Sequence, residues 1–167
     1  MFLFLLLPLL VFSKTLDVPF VKQKDQFCGP ASLNSVLGFY GISLSQETIA
    51  DKVYNPKLKG ALITDLENYA KSLGLKAETR QGTPEDLRAL IDKGIPPIIL
   101  VDLGRFFVSV PHYMVVVGYE GDNRFLVHTG YERSKSMDVK ELDRVWSKMG
   151  RVMLIVYPPT PPLVSTP

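Results

Sequence analysis

The order of the predicted elements favours an α+β domain with a largely antiparallel sheet. Apolar residues at helical spacing dominate the first half of the chain, whereas apolar runs typical of strands cluster in the second half. With 167 residues, the chain is long enough for one domain with a substantial hydrophobic core. The net charge of +2 says little about partners, but the lack of a basic block argues against a nucleic-acid partner.

The first residues carry the pattern of an export signal. Phe2–Phe12 is apolar apart from Pro8, and eleven residues are too few to cross a bilayer as a helix. The segment matches the hydrophobic region of a secretory signal, although no Lys or Arg precedes it. Residues 1–13 are therefore predicted to be a signal peptide, which places the protein in the periplasm or cell envelope. A short uncleaved anchor with membrane association, or a wrongly assigned start codon, are the alternatives.

The part of the chain up to Gly74 is predicted to be mainly helical. Each proposed helix has apolar residues three or four positions apart. The spacing of Ser43 and Gln46 fits a capping box at the start of the second helix. The predicted segments are an extended lead-in over Leu16–Val21, a helix from Cys28 to near Gly41, a helix from Ser43 to about Tyr54, a loop over Asn55–Gly60 and a helix from Leu62 to Gly74.

The remaining segments are mostly predicted strands. Continuous apolar runs indicate buried strands, and Gly and Asn mark the turns between them. In order, the predicted segments are a strand over Lys76–Arg80, a helix capped by Thr83 and running through Ile91, a central strand over Pro97–Val101, a strand pair over Met114–Tyr119 and Arg124–His128, a helix over Asp138–Trp146 and a strand over Val152–Tyr157. Residues 158–167 are rich in proline and are predicted to be a disordered tail.

Cys28, the only cysteine, is the first candidate functional residue. Gly29 and Pro30 follow it, and proline is favoured in the first turn of a helix. Cys28 is thus predicted at or just before a helix N-terminus, where a thiol loses its proton more easily and becomes a nucleophile. The alternative is a buried cysteine that serves only as a small apolar side chain.

His112 and Gln23 are the candidate partners of that thiol. His112 is predicted just before the strand over Met114–Tyr119, so a rigid element would hold its ring. An imidazole there could stabilise a Cys28 thiolate and protonate a leaving amine. The side-chain amide of Gln23 could join the Cys28 N–H in an oxyanion hole. The alternatives are a surface histidine and a solvated glutamine.

The segments around these residues resemble the C39 cysteine peptidases. The resemblance rests on Gln23 followed by Cys28-Gly29-Pro30-Ala31, and on the later run His112-Tyr113-Met114-Val115-Val116-Val117-Gly118-Tyr119, and it covers roughly residues 17–157. It implies a papain-like fold in which a helical half packs on an antiparallel sheet. It also implies that Cys28 is the nucleophile, His112 the general base and acid, and Gln23 the oxyanion donor. The chain is most similar to stand-alone C39-like proteins with a signal sequence, with a peptidase domain over residues 14–157.

One position departs from the C39 pattern. The family carries an Asp that orients the imidazole at the end of the strand after the histidine, and here His128 or Thr129 occupies that place. Neither supplies a fixed negative charge at neutral pH. His128 is kept as a candidate catalytic residue, and the strength of any activity stays open.

Cofactors are not expected. Zinc would need three or four ligands, and Cys28, His112 and His128 lack the close spacing of a zinc site. The sequence has no G-x-x-x-x-G-K-[ST] loop, so no ATP binding is expected.

Three functions are consistent with the sequence. The first is a thiol peptidase that cleaves a peptide bond, for example in leader peptides of the Gly-Gly type. The second is a catalytically weak C39-like module that binds a peptide segment of an envelope or secretion assembly. The third is an acyltransferase or amidase that uses the same chemistry.

Overall fold

A seven-stranded antiparallel sheet forms the centre of the computed structural model, which describes residues 12–160. The helices and strands are β1 Ser13–Thr15, α1 Cys28–Phe39, α2 Gln46–Val53, β2 Tyr54–Asn55, β3 Gly60–Ala61, α3 Ile63–Ser72, β4 Ala77–Gln81, α4 Pro84–Asp92, β5 Ile98–Asp102, β6 Pro111–Glu120, β7 Arg124–His128, β8 Lys135–Asp138, α5 Val139–Ser147 and β9 Val152–Val156. The predicted α+β class with a largely antiparallel sheet is confirmed.

Strand β6 is the axis of the sheet. The strand order is β4-β9-β5-β6-β7-β8, and β5 pairs with the first half of β6, from Asp102 opposite Pro111 to Ile98 opposite Val115. Strand β1 pairs with the last residues of β6 along the same edge, ending with Ser13 opposite Glu120. Because β6 is buried from both sides, its run of apolar residues forms the middle of the core.

Helices cover both faces of the sheet. Tyr113, Val115 and Val117 point into the cluster that α1, α2 and α3 close, whereas Met114 and Val116 point into the cluster that α4 and α5 close. This alternation is the period of two of an extended strand. The predicted packing of a helical half on the sheet therefore holds for α1–α3, and α4 and α5 add a layer on the other face.

Several predicted boundaries differ from the structure. The short strands β1 and β8 and the hairpin β2–β3 were not predicted, because runs of two to four polar or mixed residues carry no strand periodicity. Strand β6 begins at Pro111, so His112 lies within the strand and not before it.

The predicted capping box of Ser43 and Gln46 is wrong. The N-cap of α2 is Ser45, two residues after the predicted Ser43, and the Ser45 hydroxyl accepts a hydrogen bond from the N–H of Thr48. The side chain of Gln46 instead hydrogen-bonds to the segment that precedes Cys28.

Most of the predicted signal peptide and of the proline-rich tail lies outside the described residues. Only Phe12 and Ser13 of the former and 158–160 of the latter are described. Among residues 12–160, none of the helices has the length and apolar character needed to cross a membrane.

We expect Gly118→Ala to destabilise the fold by about 1–3 kcal/mol, the usual cost of overpacking. A Cβ at Gly118 would lie 2.5 Å from the carbonyl oxygen of Lys14, so β1 would have to move away from β6. The free energy of unfolding, measured in denaturant, checks this. Gly60→Ala is the matched control, because a Cβ there meets only the Leu58 carbonyl oxygen at 3.9 Å. Equal stabilities of the two variants would contradict the close approach of β1.

Candidate active site

Cys28 is the first residue of α1, as the sequence predicts. The helix starts with a hydrogen bond from the N–H of Ala31 to the carbonyl of Phe27 at 2.8 Å. Gly29 lets this end of the helix approach the sheet, because a Cβ there would lie 3.3 Å from the side chains of Leu66 and Tyr113. The nucleophile candidate therefore sits where α1 meets β6.

The thiol of Cys28 is not activated in this state. Burial raises its pKa, and the N–H groups of Tyr113, Gly29 and Cys28 itself lower the pKa by less. The expectation that the helix N-terminus makes Cys28 easily ionised is therefore wrong for this conformation, because desolvation outweighs the N–H groups. The role of the Tyr113 N–H places the sulfur beside the main chain that directly follows His112.

His112 is a buried residue near the start of β6, and its ring is fixed by the main chain. Its Nε2 hydrogen-bonds to the carbonyl oxygen of Thr129 at 2.6 Å. Because a carbonyl oxygen only accepts, Nε2 carries the proton and Nδ1 of the neutral ring keeps its lone pair. Burial lowers the pKa of His112, and the bond to Thr129 offsets part of that effect.

Neither candidate catalytic group is shifted towards its charged form, because burial raises the pKa of the Cys28 thiol and lowers the pKa of His112. Within residues 12–160, the ring of His112 makes its one hydrogen bond to Thr129, and none joins it to the thiol of Cys28. The causes that shift each pKa include no charge on the other group. The directions of these pKa shifts therefore favour a neutral thiol and a neutral imidazole over a thiolate–imidazolium pair.

Gln23 lies against the loop that holds His112. Its main-chain N–H donates to the carbonyl of Gly130 at 2.9 Å, and its side-chain Nε2 donates to the hydroxyl of Tyr131 at 3.0 Å. Its buried Oε1 has no hydrogen-bond partner in the described part of the chain. A side chain at Gly130 would overlap this Oε1, and φ of Gly130 is +87°, so glycine fits this position on both counts.

Tyr131 connects Gln23 to His112. Its ring lies parallel to the imidazole, with an interplanar angle of 7° and a centroid distance of 6.0 Å. Its hydroxyl accepts the hydrogen bond from Gln23. Sequence reasoning missed Tyr131, since a tyrosine in a polar loop gives no signal by itself.

His128 lies on the other face of the sheet from His112. Its Nδ1 accepts from the N–H of Ser134 at 3.0 Å, so its Nε2 carries the proton and donates to the carbonyl of Val18 at 2.9 Å. Phe20 contacts the ring edge to face. His128 therefore ties the lead-in segment to β7 and does not reach the ring of His112. Of the two predicted alternatives, Thr129 supplies the contact to His112, through its main chain.

The loop around Thr129 is closed by its own side chain. The Thr129 hydroxyl oxygen accepts hydrogen bonds from the N–H groups of Tyr131 at 3.2 Å and Glu132 at 2.9 Å. This turn keeps the Thr129 carbonyl aimed at the imidazole. A main-chain carbonyl thus orients the ring at the place where the resemblance implied an aspartate.

Gln46 supports the segment that carries Gln23. Its Oε1 accepts from the N–H of Lys24 at 2.9 Å, and its Nε2 donates to the carbonyl of Lys22 at 2.9 Å. These two hydrogen bonds hold the residues on either side of Gln23 in place, and Gln46 is itself buried. Sequence reasoning missed this supporting role of Gln46, because its spacing from Ser43 also fits a capping box.

A metal centre does not form among these residues. Within the described chain, no group of three or more His, Cys, Asp or Glu side chains is placed to hold a metal ion.

Comparisons with known proteins agree on one family and one fold. The sequence model of the Peptidase_C39 like family matches residues 15–154. No curated protein matches the chain. The fold resembles the peptidase domain of Streptococcus ComA, a bifunctional ABC transporter involved in a quorum-sensing pathway, with 24% identity, a TM-score of 0.70 and coverage of 83% of this chain and 97% of that one.

Two further solved structures have the same fold. A protein described as a C39-like peptidase from Bacillus anthracis has 18% identity and a TM-score of 0.72, over 89% of this chain and 99% of its own. A double glycine motif protease from an AMS/PCAT transporter, in complex with the leader peptide, has 21% identity and a TM-score of 0.71, over 87% of this chain and 95% of its own.

We expect Cys28 to react with iodoacetamide more slowly than a free cysteine near neutral pH. Only the thiolate reacts, and a raised pKa leaves less thiolate at a given pH. The alkylation rate, followed from about pH 6 to pH 10, should have its midpoint above that of a peptide of residues 23–33. His112→Ala should leave this midpoint nearly unchanged. A midpoint below that of the peptide would contradict the neutral pair.

We expect Gln46→Leu to loosen the Gln23 segment. The variant keeps the side-chain volume but removes the part-buried hydrogen bonds to the Lys22 carbonyl and the Lys24 N–H, which costs about 0.5–1.5 kcal/mol for each bond. Hydrogen exchange at the Lys24 amide should accelerate before global unfolding. Gln81→Leu, which loses one exposed bond to the Gly150 carbonyl, is the matched control. Unchanged exchange at Lys24 in Gln46→Leu would contradict the support.

Proposed function

The chain belongs to the Peptidase_C39 like family and has the papain-like fold of C39 peptidase domains, and from this premise we propose that it is a thiol peptidase. The observation that carries the proposal is the ring of His112, fixed through Nε2–H to Thr129 with the lone pair of Nδ1 available. A base in that state, at the end of the strand where the thiol lies, is what cleavage by Cys28 requires.

In the proposed first step, Cys28 Sγ forms a bond to the carbonyl carbon of the scissile peptide. The Sγ proton moves to Nδ1 of His112 as Sγ attacks the carbonyl carbon, so the thiolate exists only while the bond forms. The imidazolium then gives this proton to the leaving amine as the peptide C–N bond breaks. The product is an acyl-Cys28 thioester and a peptide with a free amino group.

In the second step, water releases the acyl group. His112 takes a proton from the water as its oxygen attacks the thioester, and then returns the proton to the sulfur as the C–S bond breaks. The carbonyl oxygen of Thr129 stays bonded to Nε2–H throughout and favours the charged ring in each intermediate. A carbonyl dipole does this less well than a carboxylate, so we propose a modest rate.

Gln23 is the proposed oxyanion donor. Its Nε2 already donates to the Tyr131 hydroxyl, which accepts the bond in the free protein. We propose that the substrate oxygen takes the place of this hydroxyl, so the amide is aligned before substrate binds.

The proposed substrates are peptides of the leader type. The support is the similarity of the fold to a double glycine motif protease that was solved in complex with the leader peptide. We propose cleavage after a Gly-Gly pair in such a peptide.

A catalytically weak peptide-binding module is the second candidate. It is favoured by the raised pKa of the Cys28 thiol and by the neutral residue that orients His112. In this alternative, the candidate active site binds a peptide of an envelope or secretion assembly without cleaving it.

Export to the periplasm or cell envelope remains our proposal for location. Residue 12 enters the sheet beside Gly121, where the Phe12 carbonyl accepts from the Gly121 N–H. From His112 to Glu120 the strand spans about 26 Å. A signal or anchor over residues 1–13 would therefore join the domain at the end of the sheet opposite the candidate active site.

We expect Cys28→Ser to lower cleavage of Gly-Gly leader peptides by at least about 10³-fold, because a hydroxyl is a far weaker nucleophile here. His112→Ala should lower it by about 10²–10⁴-fold, the usual contribution of a general base. His128→Gln is the matched control and should stay within a few-fold of wild type where it is folded, since that ring contacts the main chain and Phe20 and does not reach His112. Product release by mass spectrometry is the measurement. Equal turnover by wild type and Cys28→Ser would refute the peptidase, and product that appears only with added amine would indicate acyl transfer.

We also expect the acid limb of kcat/KM to lie below the usual pKa of histidine, about 6.5. Below its pKa, His112 is protonated and cannot take the thiol proton, and burial lowers that pKa. Activity should therefore persist into mildly acidic buffer and fall only as pH drops through the lowered pKa. A limb above neutral pH would instead show that a preformed ion pair, or another group, controls the reaction.

A further inference from the structure

A cavity of about 300 Å³ adjoins His112 on the face of the sheet that α5 covers. Its inner wall is formed by the buried side chains of Met114, Met137 and Val145. Leu103, which is 43% exposed, lies at its mouth. The volume is at the low end for ligand sites and suits a single large side chain.

The cavity and the sulfur lie on different sides of the sheet. His112 and Tyr131 form one of its walls, whereas Cys28 packs with the cluster on the α1 side. In the proposed reaction, the acyl part of the substrate is bonded to Cys28, and the leaving amine receives its proton from His112. The residue that carries the leaving amine must therefore lie on the imidazole side.

From this juxtaposition, and resting on the proposed function, we propose that the cavity binds the side chain of the first residue after the scissile bond. Its inner wall of two methionines and a valine selects an apolar side chain of the size of Leu, Met or Phe. Methionine side chains adapt to different shapes, so the cavity accepts all three.

Charges at the rim exclude a basic side chain. Arg105, Lys135 and Arg144 line the mouth against Glu132 and Glu141. Lys135 pairs with Glu132 at 3.0 Å, whereas Arg105, Arg144 and Glu141 make no ion pair within residues 12–160, so the mouth carries one excess positive charge. A Lys or Arg after the scissile bond would meet like charge at the mouth and an apolar wall inside.

Cleavage of a matched peptide series tests the proposal. The peptides differ only in the residue after the scissile bond, which is Leu, Met, Phe, Ala or Lys. We expect kcat/KM for Leu, Met and Phe to exceed that for Ala by about 10-fold or more, with Lys lowest, as filling an apolar pocket usually gives.

Leu103→Trp fills the mouth without disturbing the core, because Leu103 is partly exposed in a loop. It should lower kcat/KM for the Leu, Met and Phe peptides towards the value for the Ala peptide, and so abolish the preference for Leu over Ala. Leu73→Trp, at the C-cap of α3 on the other face, is the matched control and should keep the preference. Equal cleavage of the Leu and Lys peptides by wild type would overturn the pocket and leave the peptidase intact.

A binding measurement separates this inference from the peptidase itself. The methyl signals of Met114 and Met137 are followed by NMR while a short peptide with a free N-terminal Leu is added, with the Ala and Lys peptides as comparisons. Shifts with the Leu peptide alone, in a protein that cleaves nothing, would support the pocket and overturn the peptidase. Shifts with none of the peptides would overturn the pocket, whatever the cleavage result.

Discussion

The hydrogen bond from His112 Nε2 to the Thr129 carbonyl is the contact on which the candidate site depends. It fixes the tautomer, so the lone pair is on Nδ1, and it fixes the ring plane at the end of β6. The carbonyl is held in turn by the Thr129 hydroxyl, which accepts from two N–H groups of its own loop. The bond from Gln23 to Gly130 ties the same loop to the chain before Cys28. The His112 ring, the Thr129 carbonyl and Gln23 therefore all depend on the turn over residues 129–132, and a shift of that turn would move them together.

Much of the fold follows from local patterns in the sequence, whereas the site follows only in part. Cys28 was predicted at a helix start because Gly29 and Pro30 are local signals, and that placement is confirmed. The orienting group was harder to find, since a main-chain carbonyl has no sequence identity. A one-residue change of register along β7 moves a side chain to the other face, which is why His128 and Thr129 could not be separated beforehand.

The burial of Cys28 and His112 has different consequences in a peptidase and in a peptide-binding module. Burial shifts the pKa of both Cys28 and His112 in the direction that favours the uncharged form, and the N–H groups at the helix start do not reverse the shift of Cys28. In a peptidase, a neutral pair protects the only thiol from alkylation and oxidation until a substrate carbonyl arrives, at the expense of a slower attack. In a binding module, the same burial would simply keep the thiol inert. The pKa directions suit either function, so the outcome depends on whether a bound peptide brings its carbonyl within reach of the sulfur.

The topology of the sheet separates the chain ends from the chemistry. Both β6 and β9 run away from the His112 end, and β1 enters antiparallel to β6 at the far end. The sheet therefore presents Cys28, Gln23, His112 and the cavity lined by Met114 at one end, with the described N- and C-terminal segments at the other. In the proposed reaction, a peptide that crosses this end places its acyl side against α1, where Cys28 packs, and its leaving side against α5, where His112 lines the cavity. The alternation of residues along β6, which assigns Tyr113 to one face and Met114 to the other, thus also divides the two halves of the proposed substrate.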